Sequence, residues 1–569
     1  MHLIPSVKQI EYGENKPLTG CYFNFQDGVD ERLLLIAKKV PLGDTAVNVI
    51  VGNEFDCEEY KITFDDIITI DAKGSRGAFY AIQTLRQIIK NGYCDAKVIE
   101  DNPDFEVRGY YFDITRGRIP TVETVKELID NLAYYKTNML QLYVEHVFPF
   151  KEYDGIYQRT GYITPDELKE IDAYCHENFI DFVPSLSCFG HLYELLESEK
   201  YKHLCELTND EHKTHFWQRR MAHHTINVSD PESIELIKSL IDQYSVCFTS
   251  KYFNICCDET FDLGKGKNAG KDPSILYTEF VKQIIDYVRS KGLIPMMWGD
   301  VIEHIDPLGD NVIFLSWGYS PWVKPDKIYG LAEANKTQFV CPGISGWTSL
   351  CERIKESVPN ITKMAEYGKQ AKVKGFLNTN WGDYGHIAPI QACMYGTIFG
   401  CAKAWNVDDE YQNFDDAISF LYYGYKDAAS YVKTIDKAHR VTYWYNLVVD
   451  YSNRLFNNDV MKVWNGDPDP EELEDAFFEI EDIIPYLQGT KWENEKAREA
   501  LFTVAQGVEY MIAMLFSKLT GEKLGVIFAD IEDWIKEYSE LYLRESKQGE
   551  LKEFISVFYQ LAEKYIKKD

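Results

Sequence analysis

Basic side chains are scarce in this sequence relative to acidic ones. Lysine and arginine together number 60, against 90 aspartate and glutamate residues, which gives a net charge of −30 at pH 7. A chain this acidic repels phosphate backbones and anionic membrane surfaces. We therefore expect neither nucleic acid nor a membrane among its partners.

Long apolar runs and metal-type cysteine pairs are also missing. No stretch approaches the roughly 18 apolar residues of a membrane span, and the first residues, MHLIPSVKQIEYGENKPL, lack a basic segment followed by an apolar core. The 13 cysteines are odd in number, include no C-x-x-C pair, and lie mostly within apolar runs. This pattern predicts a soluble, cytoplasmic protein with buried free thiols and with neither metal nor cofactor.

Aromatic side chains, by contrast, are abundant. The 569 residues include 39 Tyr, 31 Phe and 11 Trp, and 45% of the chain is hydrophobic. This composition is typical of a well-packed globular protein, and the length predicts two or three domains. Aromatic rings also favour flat, stackable ligands such as sugars.

Eight short apolar runs alternate with helical patterns in the middle of the chain. They are residues 108–114, 138–144, 182–188, 252–257, 293–299, 312–318, 339–345 and 375–381. The segment Thr164-Pro165-Asp166-Glu167 supplies an N-cap, a first-turn proline and a capping-box glutamate for one intervening helix. Eight such repeats predict a (β/α)₈ TIM barrel. The alternative, an open doubly wound sheet, normally has a glycine-rich turn after its first strand, where this sequence reads FDITRGRIP.

The flanking segments predict two further domains. In residues 1–102, the stretches LLLIAKK, AVNVIVG, YKITFDD and IITIDAKG are strand-like and GAFYAIQTLRQIIK is helical, which indicates a small α+β domain that ends at a turn-rich boundary. Residues 103–410 form the barrel. Residues 411–569 show a 3.6-residue apolar period and predict a helical C-terminal domain. Its apolar stripes indicate intramolecular core, and formation of a homodimer through them stays open.

In barrel enzymes the chemistry lies at the carboxyl ends of the strands. Charged residues flank or follow the first four predicted strands, and Trp-Gly pairs end three others. These residues are Arg108, Asp113, Arg116, Glu145, His146, His191, Asp258, Glu259, Trp298, Trp317 and Trp381, with Asp383 and Tyr384 after the last Trp-Gly pair. Charge pairing within the barrel would account for Asp113 and Arg116. Three indoles beside acids and an arginine favour a sugar pocket over a phosphate or metal site.

Several of these stretches together resemble glycoside hydrolase family 20, the β-N-acetylhexosaminidases. The helix GAFYAIQTLRQIIK resembles the last helix of that family's N-terminal domain, and RGYYFDITRGRIPTVETVKELIDNLAYYKTNMLQLY resembles its first βα unit. CFGH resembles the family's Gly-His after strand 3, and NICCDET stands in the place of its Asp-Glu motif. The resemblance spans about residues 74–384 and implies removal of terminal, non-reducing β-linked GlcNAc or GalNAc.

The resemblance also implies a mechanism for the adjacent acids Asp258 and Glu259. Neighbours in an extended chain point to opposite faces and do not naturally flank one bond. In this family the substrate's own 2-acetamido oxygen attacks the anomeric carbon, so a second carboxylate nucleophile is unnecessary. Glu259 would be the general acid and base, and Asp258 would orient the acetamide. The predicted substrate-binding residues are Arg108, Glu145, His191, Trp298, Trp317, Trp381, Asp383 and Tyr384.

The sequence departs from the family pattern at two strand ends. LYVEHVF replaces the WHLTDDQ-like stretch after strand 2, so the roles of Glu145 and His146 do not transfer. NTNWGDYGH lacks the usual spacing near the pocket tyrosine, so Tyr384 is assigned by position alone. These divergent strand ends resemble those of an intracellular bacterial subgroup.

Two other functions are compatible with the same residues. One is a metal-dependent barrel hydrolase that uses Glu145, His146, His191, Asp258 and Asp300, although FDITR lacks the H-x-H pair expected after strand 1 of such an enzyme. The other is a catalytically silent glycan-binding barrel, although a lectin has no use for a buried acid of tuned pKa.

Overall fold

The structure is a computed structural model that describes residues 1–54, 56–153, 155–157, 161–207, 224–299, 308–309, 311–383, 385–439 and 468–567. The N-terminal part is a six-stranded sheet in the order β1-β6-β4-β5-β3-β2 with two helices. Its strands are β1 (Gln9–Pro17), β2 (Cys21–Phe25), β3 (Thr45–Val51), β4 (Tyr60–Phe64), β5 (Ile68–Ala72) and β6 (Tyr93–Asp101). Helices α1 (Glu31–Ala37) and α2 (Ser75–Asn91) complete the predicted α+β unit.

One strand prediction in this unit is wrong, because LLLIAKK belongs to helix α1. The side chain of Asp30 accepts a hydrogen bond from the backbone N–H of Arg32 and caps the helix. Leu33 and Ile36, three residues apart, are the buried positions. The run is as apolar as a buried strand, so its hydrophobicity alone does not distinguish a strand from a helix. The N-terminal cap formed by Asp30 favours the helix.

A closed barrel of eight parallel strands follows, in the order β10-β11-β12-β13-β14-β7-β8-β9, which confirms the predicted (β/α)₈ fold. The strands are β7 (Val107–Asp113), β8 (Met139–Val144), β9 (Asp181–Leu186), β10 (Tyr252–Asn254), β11 (Ile294–Trp298), β12 (Ile313–Trp317), β13 (Gln338–Cys341) and β14 (Gly375–Asn380). Each lies within a predicted run or extends it by one residue. Strand β10 is three residues shorter than predicted, because Cys256 and Cys257 adopt left-handed backbone angles (φ 56° and 63°) that end the extended chain.

Helices surround the barrel. They are α3 (Val122–Tyr134), α4 (Pro165–Glu177), α5 (Tyr193–Leu196), α6 (Pro231–Ser245), α7 (Pro273–Ser290), α8 (Asp326–Glu333), α9 (Ile354–Gln370) and α10 (Met394–Trp405). Thr164 and Glu167 form the predicted capping box of α4. Around the domain boundaries predicted at 102/103 and 410/411, β6 ends at Asp101, β7 begins at Val107 and α10 ends at Trp405.

The C-terminal part is helical, as predicted. Its helices are α11 (Phe414–Ile418), α12 (Ala428–His439), α13 (Pro470–Gly489), α14 (Glu495–Thr520), α15 (Phe528–Glu545) and α16 (Leu551–Tyr565). Within the part of the chain that the structure describes, α14 alone is long and apolar enough to cross a membrane. However, 78% of its apolar window is buried inside the protein, where the helix packs against α13, α15 and α16. Core packing therefore accounts for its apolar surface.

Candidate active site at the carboxyl ends of the strands

Asp258 and Glu259 lie on the loop after β10 and converge on one histidine. His191 Nε2 is 3.4 Å from Asp258 Oδ2 and 3.4 Å from Glu259 Oε2. The backbone of Glu259 is left-handed (φ 48°), like that of the two cysteines before the pair. Three left-handed residues among the four positions 256–259 therefore let neighbouring side chains point the same way, which an extended strand would forbid.

The loop after β9 brings His191 to this pair. A Cβ on Gly190 would lie 2.6 Å from the carbonyl oxygen of Asp258, so only glycine permits this close approach. Burial alone would lower the pKa of His191, but the adjacent Asp258 and Glu259 carboxylates outweigh it and raise that pKa well above its usual value. His191 is therefore an imidazolium at neutral pH.

A second histidine, His224, supports the first. The two imidazole rings stack almost in parallel, with centroids 4.9 Å apart and planes 6° apart. The backbone N–H of His191 donates to His224 Nδ1 at 3.0 Å, so that nitrogen carries no proton. The His224 backbone N–H in turn donates to Asp262 Oδ2 at 3.2 Å, which ties the support to the loop after β10.

Glu145, a predicted substrate-binding residue, instead lies buried behind His191. Its Oε1 is 3.9 Å from His191 Nδ1 and accepts a hydrogen bond of 2.8 Å from Tyr143. Burial by itself would raise the pKa of Glu145, yet a hydrogen bond from His146 and the charges of Arg116 and His191 lower it to about 2. The side chain is only 2% exposed, and its negative charge lies behind His191 on the Nδ1 side of the ring.

The two acids of the pair differ in their surroundings. Burial would raise the pKa of Glu259, but the hydrogen bond and charge of His191 lower it below its usual value. Asp258 Oδ1 is buried and accepts no hydrogen bond from any residue that the structure describes. An unpaired buried carboxylate oxygen is costly, so it is a ready acceptor for a donor that a ligand brings.

Arg116, three residues after the end of β7, supplies the positive charge of the site. Its Nε donates to Asp113 Oδ2 at 2.6 Å, and its Nη1 pairs with Asp383. The guanidinium also lies over the Trp381 ring, 5.1 Å from its centroid. Burial raises the pKa of Asp383 although Arg116 opposes the shift, and its side chain is 31% exposed. Arg116 and Asp383 thus present polar groups at the opening.

The prediction that Arg108 binds substrate is wrong. Arg108 is the second residue of β7, so it lies at the amino end of the barrel, opposite to the active-site end. Its Nη1 pairs with Glu58 of the N-terminal sheet at 2.6 Å, and its side chain is 1% exposed. A residue at the start of a barrel strand lies far from the carboxyl ends of the strands, where ligands bind. Arg108 therefore joins two domains instead.

The three predicted indoles come together in one aromatic cluster inside the active-site end of the barrel. Trp381 donates through Nε1 to the Tyr319 hydroxyl at 2.7 Å, and Tyr319 stacks on Trp317 with centroids 5.2 Å apart. Trp298 is 1% exposed and packs against Tyr111 and Trp381. Its prediction as a wall is corrected, because a fully buried ring supports Trp381 and offers no face to a ligand.

Two predicted residues, Tyr384 and the Asp300 of the metal alternative, lie outside the described residues. The sequence interpretation assigned no ligand role to Arg116 and overlooked Tyr319 and His224. Because the chemistry of barrel enzymes lies at the carboxyl ends of the strands, Arg116, which follows β7, is a better candidate for binding substrate than Arg108 at the start of that strand. No local signal marks His224, because its partner lies 33 residues away in sequence.

Metal ligation is the other chemistry that this cluster permits. His191, Asp258 and Glu259 can each offer one ligand atom, and these atoms lie within 4.8 Å of one another. The measured spacing of 3.4 Å from one imidazole nitrogen to both carboxylates is equally that of a charge-paired imidazolium. The side chains of the two acids are 14% and 29% exposed, so the cluster is accessible from solvent.

These features define a (β/α)₈-barrel protein whose site is an acid pair joined by histidine and flanked by an arginine-carboxylate pair and indoles. Residues 105–344 match the profile described as glycosyl hydrolase family 20, catalytic domain, and residues 32–102 match domain 2 of the same family, together more than half of the chain. The chain belongs to glycosyl hydrolase family 20.

Relatives and solved structures agree with this assignment. A lacto-N-biosidase of Bifidobacterium bifidum is 24% identical over 55% of this chain and 28% of its own length. A beta-hexosaminidase of Porphyromonas gingivalis is 24% identical over 44% of this chain and 36% of its own. The chain therefore spans about a third of the length of these relatives. The chitobiase structure of Flavobacterium johnsoniae has a TM-score of 0.60 at 15% identity, with 98% of each chain covered, so it shares the fold.

Proposed function

We propose that this protein is an exo-acting β-N-acetylhexosaminidase that removes terminal, non-reducing β-linked GlcNAc or GalNAc. Family membership and the hexosaminidase names of its relatives support the substrate class. The observation that carries the proposal is the imidazole of His191 between Asp258 and Glu259. In an ordinary retaining glycosidase the anomeric carbon occupies the space between the two carboxyls. Here one imidazole nitrogen lies 3.4 Å from both carboxylates, which supports a nucleophile that comes from the substrate.

The substrate's acetamide oxygen then attacks the anomeric carbon, and an oxazolinium ion forms while the leaving oxygen takes a proton. The free Asp258 Oδ1 accepts the acetamide N–H and stabilises the positive charge that develops on that group. Because the acetamide is held by the same molecule that it attacks, the step gains the rate advantage of an intramolecular reaction.

Glu259 donates the proton to the leaving oxygen and later activates water. In the free site its pKa is lowered, and the proton resides on His191 at 3.4 Å. A bound sugar displaces water from Glu259, and this desolvation raises the pKa of its carboxyl group. Transfer of the proton from His191 to the Glu259 carboxylate then becomes more favourable. Because the pKa of His191 is raised, the site keeps its proton through neutral pH and loses it as the pH rises further. Activity therefore declines on the alkaline side.

Arg116 and Asp383 hold the hydroxyls of the terminal sugar, and Trp381 with Tyr319 and Trp317 lines the pocket. The support is the ion pair of Arg116 with the part-exposed Asp383, next to the Trp381 ring. A site built for hydroxyl groups penalises a sugar that lacks them, since its buried polar groups lose their partners.

A series of aryl glycosides with acetyl, mono-, di- and trifluoroacetyl groups on the 2-amino group tests the mechanism. Each fluorine withdraws electrons from the attacking oxygen, so kcat should fall steeply along the series. Asp258→Asn should lose about 10² or more in kcat, because a neutral amide stabilises the oxazolinium charge poorly.

A flat rate across the fluorinated series would contradict the substrate-assisted mechanism and require a protein nucleophile. Plain glucosides, which have no acetamide, are the matched control and should hardly react. Binding of N-acetylated sugars without turnover of any of these substrates would instead indicate a glycan-binding barrel.

The second candidate, a metal-dependent hydrolase, is favoured only by the three convergent ligand atoms of His191, Asp258 and Glu259. We expect dialysis against EDTA to leave turnover of an aryl N-acetylglucosaminide unchanged, since His191 already pairs with both acids. Loss of activity that added zinc or manganese restores would favour the metal enzyme.

We further propose that the enzyme belongs to an intracellular bacterial subgroup and works in a reducing compartment. All thirteen cysteines are free thiols, and only Cys57 is not buried. Burial raises the pKa of Cys256 and Cys188 beside the acid pair, which keeps them protonated and packed. Full activity in dithiothreitol checks this, and inactivation by the reductant would contradict it.

A further inference from the structure

The side chains beyond His191 become more exposed toward the opening of the pocket. His191 is 4% exposed, Asp258 14% and Glu259 29%, and Phe261, two residues after the acid, is 51% exposed. The scissile oxygen must come within hydrogen-bond distance of Glu259. Because the terminal sugar is placed toward Arg116 and Asp383, the leaving group points outward, and Phe261 is an exposed aromatic residue of the loop that carries Glu259.

Phe261 is held by one backbone hydrogen bond and by a ring contact. Its backbone N–H donates to the Glu259 carbonyl at 2.7 Å, and its ring meets His224 edge-on, with centroids 6.2 Å apart and planes at 78°. Farther along the same loop, the backbone N–H of Asn268 donates at 3.0 Å, and its side chain at 2.6 Å, to the buried carboxylate of Glu206 from an earlier segment of the chain. The buried acid thus anchors the loop that carries Phe261, and the exposed ring of Phe261 contacts His224.

We propose that Phe261 is the platform of a leaving-group subsite, on which the second sugar of a β-linked glycan stacks. The inference rests on the proposed hexosaminidase activity and adds the specificity determinant for the leaving group. A pyranose presents C–H groups on its face, which pack on an aromatic ring, and an aromatic side chain with two rotatable bonds loses little conformational entropy on binding. The preferred substrate is therefore a disaccharide or longer glycan with an N-acetylhexosaminyl end.

The test compares two substrates that share the terminal sugar and differ in the leaving group. One is a β-1,4-linked disaccharide of N-acetylglucosamine, and the other is methyl N-acetyl-β-glucosaminide, whose methanol leaving group is too small to stack. We expect Phe261→Ala to lower the ratio of their kcat/KM values, disaccharide over methyl glycoside, by about three- to tenfold. Phe261→Trp should restore the ratio.

Tyr12 is the matched control, because it is an aromatic residue on β1 of the N-terminal sheet with 68% exposure. Tyr12→Ala should leave both rates as they are. An unchanged ratio in Phe261→Ala would overturn the subsite, and so would an equal loss on both substrates, which would make Phe261 a cover for His224. If the folded wild type hydrolysed neither substrate, the proposed activity itself would fail, and the subsite with it.

Discussion

Arg108 and Arg116 stand eight positions apart in the sequence and at opposite ends of one strand. Arg108 pairs with Glu58 at the amino end of the barrel, whereas Arg116 pairs with Asp113 and Asp383 at the carboxyl end. Both are buried and both bridge acids, so composition and burial alone cannot distinguish a structural arginine from a ligand-binding one. Their position along β7 distinguishes them.

Lysine substitution should separate these two roles. Arg116→Lys keeps the charge but loses the forked donors, so kcat/KM should fall about 10- to 100-fold through a higher KM, the equivalent of one or two charged hydrogen bonds. Arg108→Lys should leave KM within about twofold and lower the free energy of unfolding by about 1.5–3 kcal/mol. Steady-state kinetics and urea unfolding check both. A higher KM for Arg108→Lys would contradict the assignment.

At the scale of elements, the C-terminal helices support the active-site loop that carries Arg116. The Tyr542 hydroxyl of α15 donates to the Gly117 carbonyl at 2.6 Å, and the Arg118 guanidinium lies over the Tyr542 ring and pairs with Glu545 at 3.1 Å. The backbone N–H of Glu550 also donates to Gly117, at 2.8 Å. The helical region therefore contributes to the position of Arg116.

Removal of the Tyr542 hydroxyl should weaken this support. Tyr542→Phe leaves the Gly117 carbonyl with one fewer donor, at a cost of about 1 kcal/mol. We expect KM for an aryl N-acetylglucosaminide to rise about two- to fivefold with kcat nearly constant. Tyr486→Phe, on the exposed part of α13, is the control and should change neither value. A lower kcat at constant KM would mean that the loop acts on the chemical step instead.

At the scale of the whole molecule, a buried ion pair joins the N-terminal sheet to the barrel. Lys136, in the turn before β8, donates to Asp101 at the end of β6 at 2.9 Å, and both side chains are at most 1% exposed. Asp101 also accepts from Tyr60 at 2.5 Å and from Trp405 at 3.0 Å. One carboxylate thus links the sheet, the barrel and the last barrel helix, which predicts that they unfold together.

Lys136→Met removes the charged partner of the buried Asp101 carboxylate and should lower the free energy of unfolding. We expect a loss of about 3–5 kcal/mol in the free energy of unfolding, and a smaller loss in the double variant Lys136→Met/Asp101→Asn, which removes the buried charge as well. Urea unfolding followed by fluorescence measures both. Two separate transitions in the wild type would contradict the joint unfolding of the domains.

Homodimerisation through the C-terminal helices stays a prediction, which light scattering checks.

The sequence by itself determined the repeated βα pattern, and hence the barrel, because buried parallel strands must be short and continuously apolar. It also determined the helical C-terminal region and the acid pair Asp258–Glu259, which stand out against the apolar run before them. It could not determine whether LLLIAKK is a strand or a helix, since a short apolar run suits both.

Only the tertiary structure decided which charged residues share the active site. His191, His224, Arg116 and Asp383 come from loops far apart in sequence, and the barrel brings them to one end. It also decided the pKa of Glu259, which the hydrogen bond and charge of His191, 3.4 Å away, lower below its usual value. Loop placement and charge coupling arise from contacts between distant segments, and no local pattern in the chain encodes them.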